Sequence, residues 1–500
     1  MSYRHDTLAL IPAGIDTYRQ PIVYMREDCH LCRSEGFATH TRIEVEHAGK
    51  RVIATLNVVT GGGWLPPETA ALSDTAWQAL APEPGALGRF SHPEPPASAS
   101  AIRTKVYGGR LDADACRAII TDTMDRRLSD LDLAAFVTAC AGDRLDEAET
   151  IALTLAMRDA GERLDWGQGP VLDKHCVGGL PGNRTTPIVV AIVAAAGHLV
   201  PKTSSRAITS PAGTADTMEV MAPVALTLGE MRRVVEAEGG CVVWGGGLDL
   251  SPADDMLIRI ERPLDFDSEG QMVASVLSKK ASAGSSHVLI DIPVGPTAKV
   301  RSQDAARALV RRLSAVAATL GQTLAIHQSD GSAPVGRGIG PALEAHDVLA
   351  VLRRTANAPS DLRERALDVA GAMLDLVGSD GRERAARLLD SGQAEAKFMA
   401  ICAAQGGFTE PGKALQTQPV TANRAGKITA IDNRRIAKIA KLAGAPGRQA
   451  SGVLLKTGLG ETVEIGQPLF EIHAETKGEL DWALAYAAGG DSPFRVEDLS

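Results

Sequence analysis

From residue 171 onward, short apolar runs alternate with helical stretches, and glycines mark the boundaries between them. The runs with the length and β-branched content of buried strands are CVVW (241–244), HVLIDIPVG (287–295) and TLAIHQS (323–329). VVAIVAAA (189–196) fits either such a strand or a helix with Thr186 as N-cap, Pro187 in its first turn and Gly197 at its end. Because strands that alternate with helices form parallel sheets covered on both faces, this region predicts an α/β lobe.

The rest of the 500-residue chain divides by pattern into further domains. Alternation in residues 42–59, with a turn at Gly49, predicts a hairpin in a β-rich domain, and the proline-dense segment 82–99 is the predicted linker. Three helical stretches follow, at 112–128, 130–140 and 145–161. We therefore predict an α/β multi-domain protein: an N-terminal β-rich domain (1–95), a helical lobe (100–170, with a later contribution near 252–283), a mixed α/β domain with a central, mostly parallel sheet (171–420) and a C-terminal β-rich, barrel-sandwich-like module (421–500).

Composition excludes several classes of protein. A net charge of −9 does not attract nucleic acid or anionic membranes, so neither is an expected partner. Seven cysteines, an odd number in a long chain, indicate a reducing compartment, and we expect a cytoplasmic protein. Cys29 and Cys32 form a CxxC that suggests half a zinc site, but with no second pair at finger spacing a surface loop is the favoured interpretation.

The stretch DKHCVGGLPGNRTT (173–186) combines cations, hydroxyls and bare backbone immediately before a predicted helix. A helix N-terminus carries unpaired N–H donors and a partial positive charge, and glycines let an anion approach them closely. Lys174 adds a full charge. The pattern therefore predicts an anion site, and it is not a nucleotide-binding P-loop, because the spacing differs and arginine replaces the required lysine.

A second stretch, KTSSRAITSPAGTADTMEVM (202–221), repeats this arrangement, with several hydroxyls, one arginine and a helix that opens near Thr214. Two hydroxyl-rich helix starts on neighbouring loops suit a phosphate with four oxygens. The alternative is that each hydroxyl only caps a helix. DGSAPVGRGIGPALE (330–344) lacks GxGxxG spacing and does not predict NAD binding.

The segment DSEGQMVASVLSKK (267–280) places Asp267, Gln271, Ser275 and Lys279 at intervals of four, on one face of a helix. A solvated helix face explains such a stripe too. However, the stripe contains one carboxylate, one amide, one hydroxyl and one amine, a set that can recognise the donors and acceptors of a heterocyclic base.

These motifs, together with ADDMLIRIERPLDF (253–266), resemble the thymidine and AMP phosphorylase family in its longer form with an extra N-terminal domain. The resemblance spans roughly residues 5 to 480. It implies an active-site cleft between a helical and an α/β lobe, a homodimer or larger homo-oligomer, inorganic phosphate and a nucleoside or nucleotide as substrates, and neither cofactor nor metal. Phosphate would attack the anomeric carbon as the base departs.

The resemblance also implies roles for individual residues. The implied phosphate contacts are Lys174, Thr185, Ser204 and Thr214, and His175 would lie beside base and sugar while Asp267 gives a proton to the leaving base. Residues implied to bind the nucleoside or nucleotide are Gly179, Ser205, Arg206, Ala207, Ile208, Thr209, Ser210, Ser275, Lys279 and Lys299.

The sequence departs from the shorter thymidine phosphorylases at two positions. Cys176 replaces a serine, and a thiol is the weaker hydrogen-bond donor. Ile260 replaces the arginine that grips the pyrimidine, with Arg259 and Arg262 beside it. Thymidine phosphorolysis is our first interpretation. The alternatives are phosphorolysis of a nucleoside 5′-monophosphate such as AMP, which gives ribose 1,5-bisphosphate, a magnesium-dependent phosphoribosyltransferase of the anthranilate type, and a non-catalytic binding protein.

Overall fold

The computed structural model describes residues 6–18, 20–61, 63–167, 169–207, 210–248, 250–264 and 268–498. The chain forms two compact units, Met1–Phe136 and Val137–Ser500. Among the described residues, no helix is long and apolar enough to cross a membrane.

The first unit begins with a closed barrel of six strands in the order β1-β5-β2-β4-β3-β6. Its elements are β1 (Thr7–Pro12), β2 (Ile22–Arg26), α1 (His30–Ser34), β3 (Arg42–His47), β4 (Lys50–Val59), β5 (Thr69–Leu72), α2 (Asp74–Leu80) and β6 (Leu87–Ser91). β3 and β4 pair antiparallel around Ala48 and Gly49, both at positive φ, which confirms the predicted hairpin. The β-rich N-terminal region is therefore confirmed.

Two predictions about this region are wrong. The predicted linker 82–99 contains β6, which pairs with both β1 and β3 and closes the barrel. Cys29 and Cys32 are buried in the barrel core rather than in a surface loop, with Cys29 as the N-cap of α1. Among the described residues, no group of three or more His, Cys, Asp or Glu side chains is arranged to hold a metal ion.

Four helices follow the barrel in sequence: α3 (Ala99–Val106), α4 (Ala113–Met124), α5 (Asp130–Cys140), in which the division between the two units falls, and α6 (Glu147–Asp159). Asp112 caps α4 by accepting from the N–H of Ala115, and Asp146 and Glu149 form a capping box at the start of α6. The three helices predicted from periodicity in this region are confirmed.

The centre of the second unit is a set of parallel strands. The elements are β7 (Leu172–Cys176), α7 (Thr185–Ala195), β8 (Val200–Ser204), α8 (Thr214–Glu219), α9 (Leu228–Glu238), β9 (Gly240–Trp244), α10 (Pro252–Leu264), α11 (Glu269–Ser282), β10 (His287–Val294), α12 (Gln303–Thr319) and β11 (Thr323–Asp330). Strands β11-β10-β7 and β8-β9 pair in parallel, and a parallel bridge between Val171 and Leu199 joins the two groups. Their carboxyl ends therefore lie at one edge, where ligands bind in such sheets.

The segment VVAIVAAA belongs to helix α7, so its interpretation as a strand is wrong and its interpretation as a helix is confirmed. α7 begins at Thr185 with Arg184 as N-cap, two residues before the predicted N-cap Thr186. It is buried on nearly all sides, because helices α13 (Pro341–Leu352), α14 (Ser360–Asp375), α15 (Gly381–Asp390) and α16 (Gln393–Ala404) share one apolar core with it. A second core lies between the sheet and α11 and α12, so helices cover both faces.

The C-terminal part of this unit consists of two small antiparallel sheets and two helices. The strands are β12 (Gly338–Ile339), β13 (Gln416–Thr421), β14 (Gly426–Ile431), β15 (Gly452–Leu455), β16 (Thr462–Val463), β17 (Pro468–Ala474) and β18 (Phe494–Glu497), and the helices are α17 (Asn433–Leu442) and α18 (Lys477–Ala488). The sheets have the orders β12-β15-β17-β13 and β16-β14-β18 around one apolar core. The predicted C-terminal β-rich module is confirmed, and its first sheet also includes β12 and β13, which begin before residue 421.

Candidate active site

The glycine loop connects the carboxyl end of β7 to the N-terminus of α7. Gly179 has φ +84°, and a Cβ there would collide with the backbone nitrogen of Lys299. Gly182 has φ +68°, and a Cβ there would collide with the carbonyl oxygen of Val335. Both positions therefore require glycine, since the backbone conformation and the close neighbour each exclude a side chain. The loop is held against the segment that follows β10, which brings Lys299 beside it.

Lys174 lies on β7 under this loop and is 1% exposed. Its ammonium donates to Thr185 Oγ1 at 2.8 Å, at the first turn of α7. Burial lowers the pKa of Lys174, and the nearby Cys176 and Asp291 act in the opposite direction. An anion at this helix N-terminus would restore the preference for the charged ammonium. Lys174 and Thr185, both predicted phosphate contacts, are thus in direct contact.

Cys176 ends β7 next to Asn183, whose Nδ2 donates to its sulfur at 3.5 Å. Burial, followed by the charge of Asp291, raises the pKa of the Cys176 thiol to about 12. The sulfur therefore stays protonated at neutral pH and is not a nucleophile.

Arg184 orders the end of the glycine loop. Its Nε lies 2.6 Å from Glu344 Oε2, and its NH1 donates to Thr214 Oγ1 at 2.7 Å. Glu344, on α13, is 1% exposed, and its Oε2 also accepts from Thr217 Oγ1 at 3.0 Å. Burial raises the pKa of Glu344, and Arg184 opposes that shift. One buried ion pair therefore ties the first loop to Thr214 of the second.

The second loop, after β8, is organised by Asp216. Its Oδ2 accepts from the backbone N–H of Ala207 at 2.7 Å and of Gly213 at 2.8 Å. Arg206 donates to both oxygens of Glu219, at 2.5 and 2.6 Å, and lies 5.0 Å from the ring centroid of Trp244. The positive charge of Arg206 is thus already engaged by carboxylates.

The hydroxyls of this loop differ in their surroundings. Ser204 is 7% exposed, and its Oγ has no hydrogen-bond partner within the described residues, as expected of a group that awaits a ligand. Ser205 is exposed, and Ser210 donates to the carbonyl of Ala212 at 2.9 Å. The predicted nucleotide contacts Ile208 and Thr209 lie outside the residues that the structure describes.

The predicted polar stripe on α11 meets the first turn of α10. Ser275 Oγ donates to Asp254 Oδ2 at 2.9 Å, and Lys279 Nζ lies 2.6 Å from the same oxygen and 3.3 Å from Asp255 Oδ1. Burial alone would lower the pKa of Lys279, but Asp254 and Asp255 outweigh it and raise the pKa. Lys279 therefore stays positively charged, and its ammonium has three N–H donors for the two carboxylate contacts described. Ile260, in place of an arginine, is buried in α10.

Glu261, also on α10, is a candidate acid or base near this cluster. Burial and the charge of Asp254 raise its pKa to about 7, while Lys299 and Lys279 oppose the shift. Glu261 was not predicted from the sequence, where it is one of many acidic residues on an amphipathic helix.

Replacement of Glu261 by glutamine should remove a pH dependence of folding stability. Because its pKa rises from 4.5 to about 7 on folding, the folded state holds this proton more tightly, and stability falls as pH increases through that interval. The loss is at most about 3 kcal/mol. Urea unfolding at pH values below and above this interval should show a smaller decrease for Glu261→Gln than for the unsubstituted protein. Equal decreases in the two proteins would contradict the prediction, and Glu236→Gln, on exposed surface, is the control.

His175 lies on the opposite face of β7 from Lys174, above a buried cationic cluster. Asp173, fully buried, has its Oδ2 2.8 Å from Lys280 Nζ and its Oδ1 3.6 Å from Lys202 Nζ. Burial, followed by the charges of Lys280 and Lys202, keeps the pKa of His175 well below its ordinary value. The imidazole is therefore neutral at neutral pH and has one donor and one acceptor nitrogen.

Of the predicted phosphate contacts, Lys174 and Ser204 lie on β7 and β8, and Thr185 and Thr214 begin the helices that follow these strands. Ser275 and Lys279 lie on α11 and contact the first turn of α10. Asp267, the predicted proton donor, lies outside the described residues, immediately before the N-cap Ser268 of α11. Residues that sequence reasoning missed are Arg184, Glu344, Asp216, Asp254 and Glu261. The ion pair of Arg184 and Glu344 joins segments 160 positions apart, and Asp254 contacts Ser275 on the next helix, whereas Asp216 accepts from N–H groups of its own loop. Only the acidic first turn of α10 gave any signal in the sequence.

Comparison with known proteins places the chain in a family. The model of the "Glycosyl transferase family, helical bundle domain" matches residues 99–161, and that of the "Glycosyl transferase family, a/b domain" matches residues 168–395. Together they span more than half of the chain. The chain belongs to this glycosyl transferase family, and it is an enzyme of the glycosyltransferase type.

Several relatives match this chain over nearly its full length. The chain is 60% identical to "Putative thymidine phosphorylase 1" of Acidovorax sp. (strain JS42), over 99% of this chain and 98% of that one. It is 59% identical to "Putative thymidine phosphorylase" of Polaromonas sp. (strain JS666 / ATCC BAA-500), over 96% and 95%, and 55% identical to that of Hahella chejuensis (strain KCTC 2396), over 97% of each. The resemblance identified from the motifs is confirmed.

A solved structure shares the fold of part of the chain. Anthranilate phosphoribosyltransferase from Thermus thermophilus superposes with a TM-score of 0.51 at 20% identity, over 61% of this chain and 99% of that one. This likeness concerns the fold alone, and it confirms the predicted combination of helical and α/β parts.

Proposed function

We propose that this enzyme catalyses the reversible phosphorolysis of thymidine, which gives thymine and 2-deoxyribose 1-phosphate. The observation that carries the proposal is the buried ammonium of Lys174, held 2.8 Å from Thr185 at the N-terminus of α7. A charged donor and unpaired backbone N–H groups at one helix start are the elements of a phosphate site. The names of the near full-length relatives favour thymidine as the nucleoside.

In the proposed reaction, Lys174, Thr185, Ser204 and Thr214 bind phosphate below the sugar. A phosphate oxygen forms a bond to C1′ as the bond between C1′ and N1 of thymine breaks, and the electron pair of that bond leaves with the base. Because the phosphate is held at its attacking position, the loss of translational freedom is met on binding rather than in the transition state. Ser204 Oγ, buried without a partner among the described residues, supports its place in this site.

Charge that develops on the departing thymine is stabilised on the other side of the sugar. Lys279 supplies a fixed positive charge, Ser275 a hydroxyl and neutral His175 a donor nitrogen, and Asp267 is proposed to deliver the proton. Gly179 and Lys299, adjacent in the structure, are proposed to border the nucleoside. Ser205, Arg206, Ala207, Ile208, Thr209 and Ser210 remain predicted nucleoside or nucleotide contacts.

A direct assay tests this function against its alternatives. Purified protein with phosphate should release thymine from thymidine, in a phosphate-dependent manner, and should release no adenine from AMP. Release of base from monophosphates only would overturn the thymidine assignment in favour of the nucleotide. The engagement of Arg206 by Glu219 leaves less positive charge for a 5′-phosphate, which favours the nucleoside. Activity should persist in the presence of a chelator, because phosphorolysis needs no divalent metal ion. Loss of activity under these conditions would favour a magnesium-dependent phosphoribosyl transfer.

Replacement of Asp254 by asparagine should weaken recognition of the base. Asp254 Oδ2 orients both Ser275 and Lys279, so its loss as an anion should raise the KM for thymidine by about tenfold to a hundredfold, as for a charge-assisted hydrogen bond. The KM for phosphate should change little. Asp255→Asn is the matched control, since Asp255 lies farther from Lys279 and should have a smaller effect. Equal effects of the two variants, or a change mainly in the KM for phosphate, would contradict this role.

We further infer a cytoplasmic homodimer or larger homo-oligomer. The implied assembly rests on the resemblance to the phosphorylase family. All seven cysteines are free thiols, which fits a reducing compartment.

A further inference from the structure

Asp291, on β10, is a buried carboxyl group beside the proposed phosphate site to which no role has been assigned. It is fully buried, at the β10 position that pairs with Cys176, the last residue of β7. Adjacent residues of paired strands project to the same face of a sheet. Asp291 therefore shares the face of Lys174 and Cys176, the face on which α7 begins.

The two oxygens of this carboxyl group have different surroundings. Oδ1 accepts a hydrogen bond from Ser329 Oγ on β11 at 2.8 Å, which fixes the orientation of the group. Oδ2 is buried and has no hydrogen-bond partner within the described part of the chain. Because β10 lies between β11 and β7, an oxygen that is not turned to Ser329 is available on the side of Lys174. The carboxyl group also lies near the Cys176 thiol, which is a weak hydrogen-bond donor, and near Lys174, whose pKa its charge raises.

A buried carboxylate oxygen without a strong donor is costly unless a ligand satisfies it. The ligand expected here is an anion, because Lys174 and the start of α7 face the same space. An anion next to the carboxylate of Asp291 would ordinarily be repelled. Hydrogen phosphate avoids this repulsion at one oxygen, since it carries an O–H that can donate to a carboxylate. Sulfate carries no proton at neutral pH and would place one of its oxygens against Asp291, with repulsion and no hydrogen bond.

We propose that Asp291 is a specificity-determining residue that accepts a hydrogen bond from the O–H of bound hydrogen phosphate and thereby excludes fully deprotonated oxyanions such as sulfate. This inference rests on the proposed phosphate site. No bond to the phosphate is formed or broken in this step, and the proton stays on the phosphate oxygen.

The test compares the affinities of phosphate and sulfate by titration calorimetry at equal ionic strength and mildly alkaline pH. The unsubstituted protein should bind phosphate at least about a hundredfold more tightly than sulfate, because a site built to pair with an O–H rejects a ligand without one. Asp291→Asn should reduce this ratio to about tenfold or less, through weaker phosphate binding and stronger sulfate binding. Asp368→Asn, which removes a surface carboxylate on α14, should leave the ratio unchanged.

The outcomes separate this inference from the proposed function. If the unsubstituted protein binds phosphate and Asp291→Asn keeps the full ratio, the role of Asp291 is overturned while the phosphate site stands. If the unsubstituted protein binds no phosphate, both are overturned. Should Asp291→Asn fail to fold, Ser329→Ala keeps the carboxylate but releases Oδ1, and it should lower the ratio by a few-fold. An unchanged ratio in Ser329→Ala would then count against the proposal.

Discussion

Replacement of Lys174 by methionine should lower kcat/KM for phosphate by about a thousandfold, or roughly 4 kcal/mol of transition-state stabilisation. Lys174 is 1% exposed, and its ammonium lies against Thr185 where the phosphate is proposed to bind. At a buried site with a low effective dielectric constant, the loss of a cation that faces the phosphate dianion costs far more binding free energy than at a surface. Steady-state kinetics with varied phosphate at saturating thymidine measure the effect.

The same variant should remain folded, which makes the kinetic result interpretable. Methionine keeps most of the length of the lysine stem, and the removal of a charge whose burial is itself unfavourable offsets part of the lost interactions with Thr185 and Asp291, so urea unfolding should still show a cooperatively folded protein. Lys397→Met is the control, because Lys397 forms a half-buried ion pair with Glu238 and lies outside the site. A value of kcat/KM within about tenfold of the unsubstituted enzyme would show that Lys174 does not hold phosphate in the transition state.

Local patterns predicted most of the fold and failed where a strand depends on distant partners. Helices α4, α5 and α6 follow from apolar spacing and acidic caps that lie within the segments themselves. β6 has only five residues and is defined by pairing with β1, about eighty positions earlier, and with β3. The proline-rich segments on either side of β6 led to its prediction as a linker. The hydrogen bonds that make it a strand are formed with distant strands and leave no pattern in its own sequence.

The candidate site shows the same division. Lys174 and Thr185 belong to one short motif, so their proximity follows from a single loop between a strand and a helix. Glu344 is 160 positions from Arg184, and that arginine was noted in the sequence only as a mismatch to a P-loop. Functional residues that belong to one loop can be predicted from the sequence. The residues that fix the orientation of that loop are brought to it by the tertiary fold and cannot be predicted in this way.

Replacement of Glu344 by alanine should destabilise the protein by about 3–5 kcal/mol, the cost of an uncompensated buried charge. The side chain of Arg184 is only 12% exposed, and the carboxylate of Glu344 lies 2.6 Å from its Nε. Thr217 and the N–H of Gly340 also lose an acceptor. Urea unfolding measures the change. Glu410→Ala is the matched control, because its ion pair with Arg353 is comparably short but lies at the surface and should contribute at most about 1 kcal/mol.

A double variant, Arg184→Met with Glu344→Leu, separates stability from function. Since apolar residues of similar volume often replace a buried ion pair without loss, the double variant should recover most of the stability that Glu344→Ala loses. It should not recover phosphate affinity, because Arg184 also holds Thr214 Oγ1 at 2.7 Å, and that hydroxyl is a proposed phosphate contact. Stable protein with an unchanged KM for phosphate would mean that the ion pair only supports the fold. A raised KM in stable protein would show that it positions the second loop for phosphate.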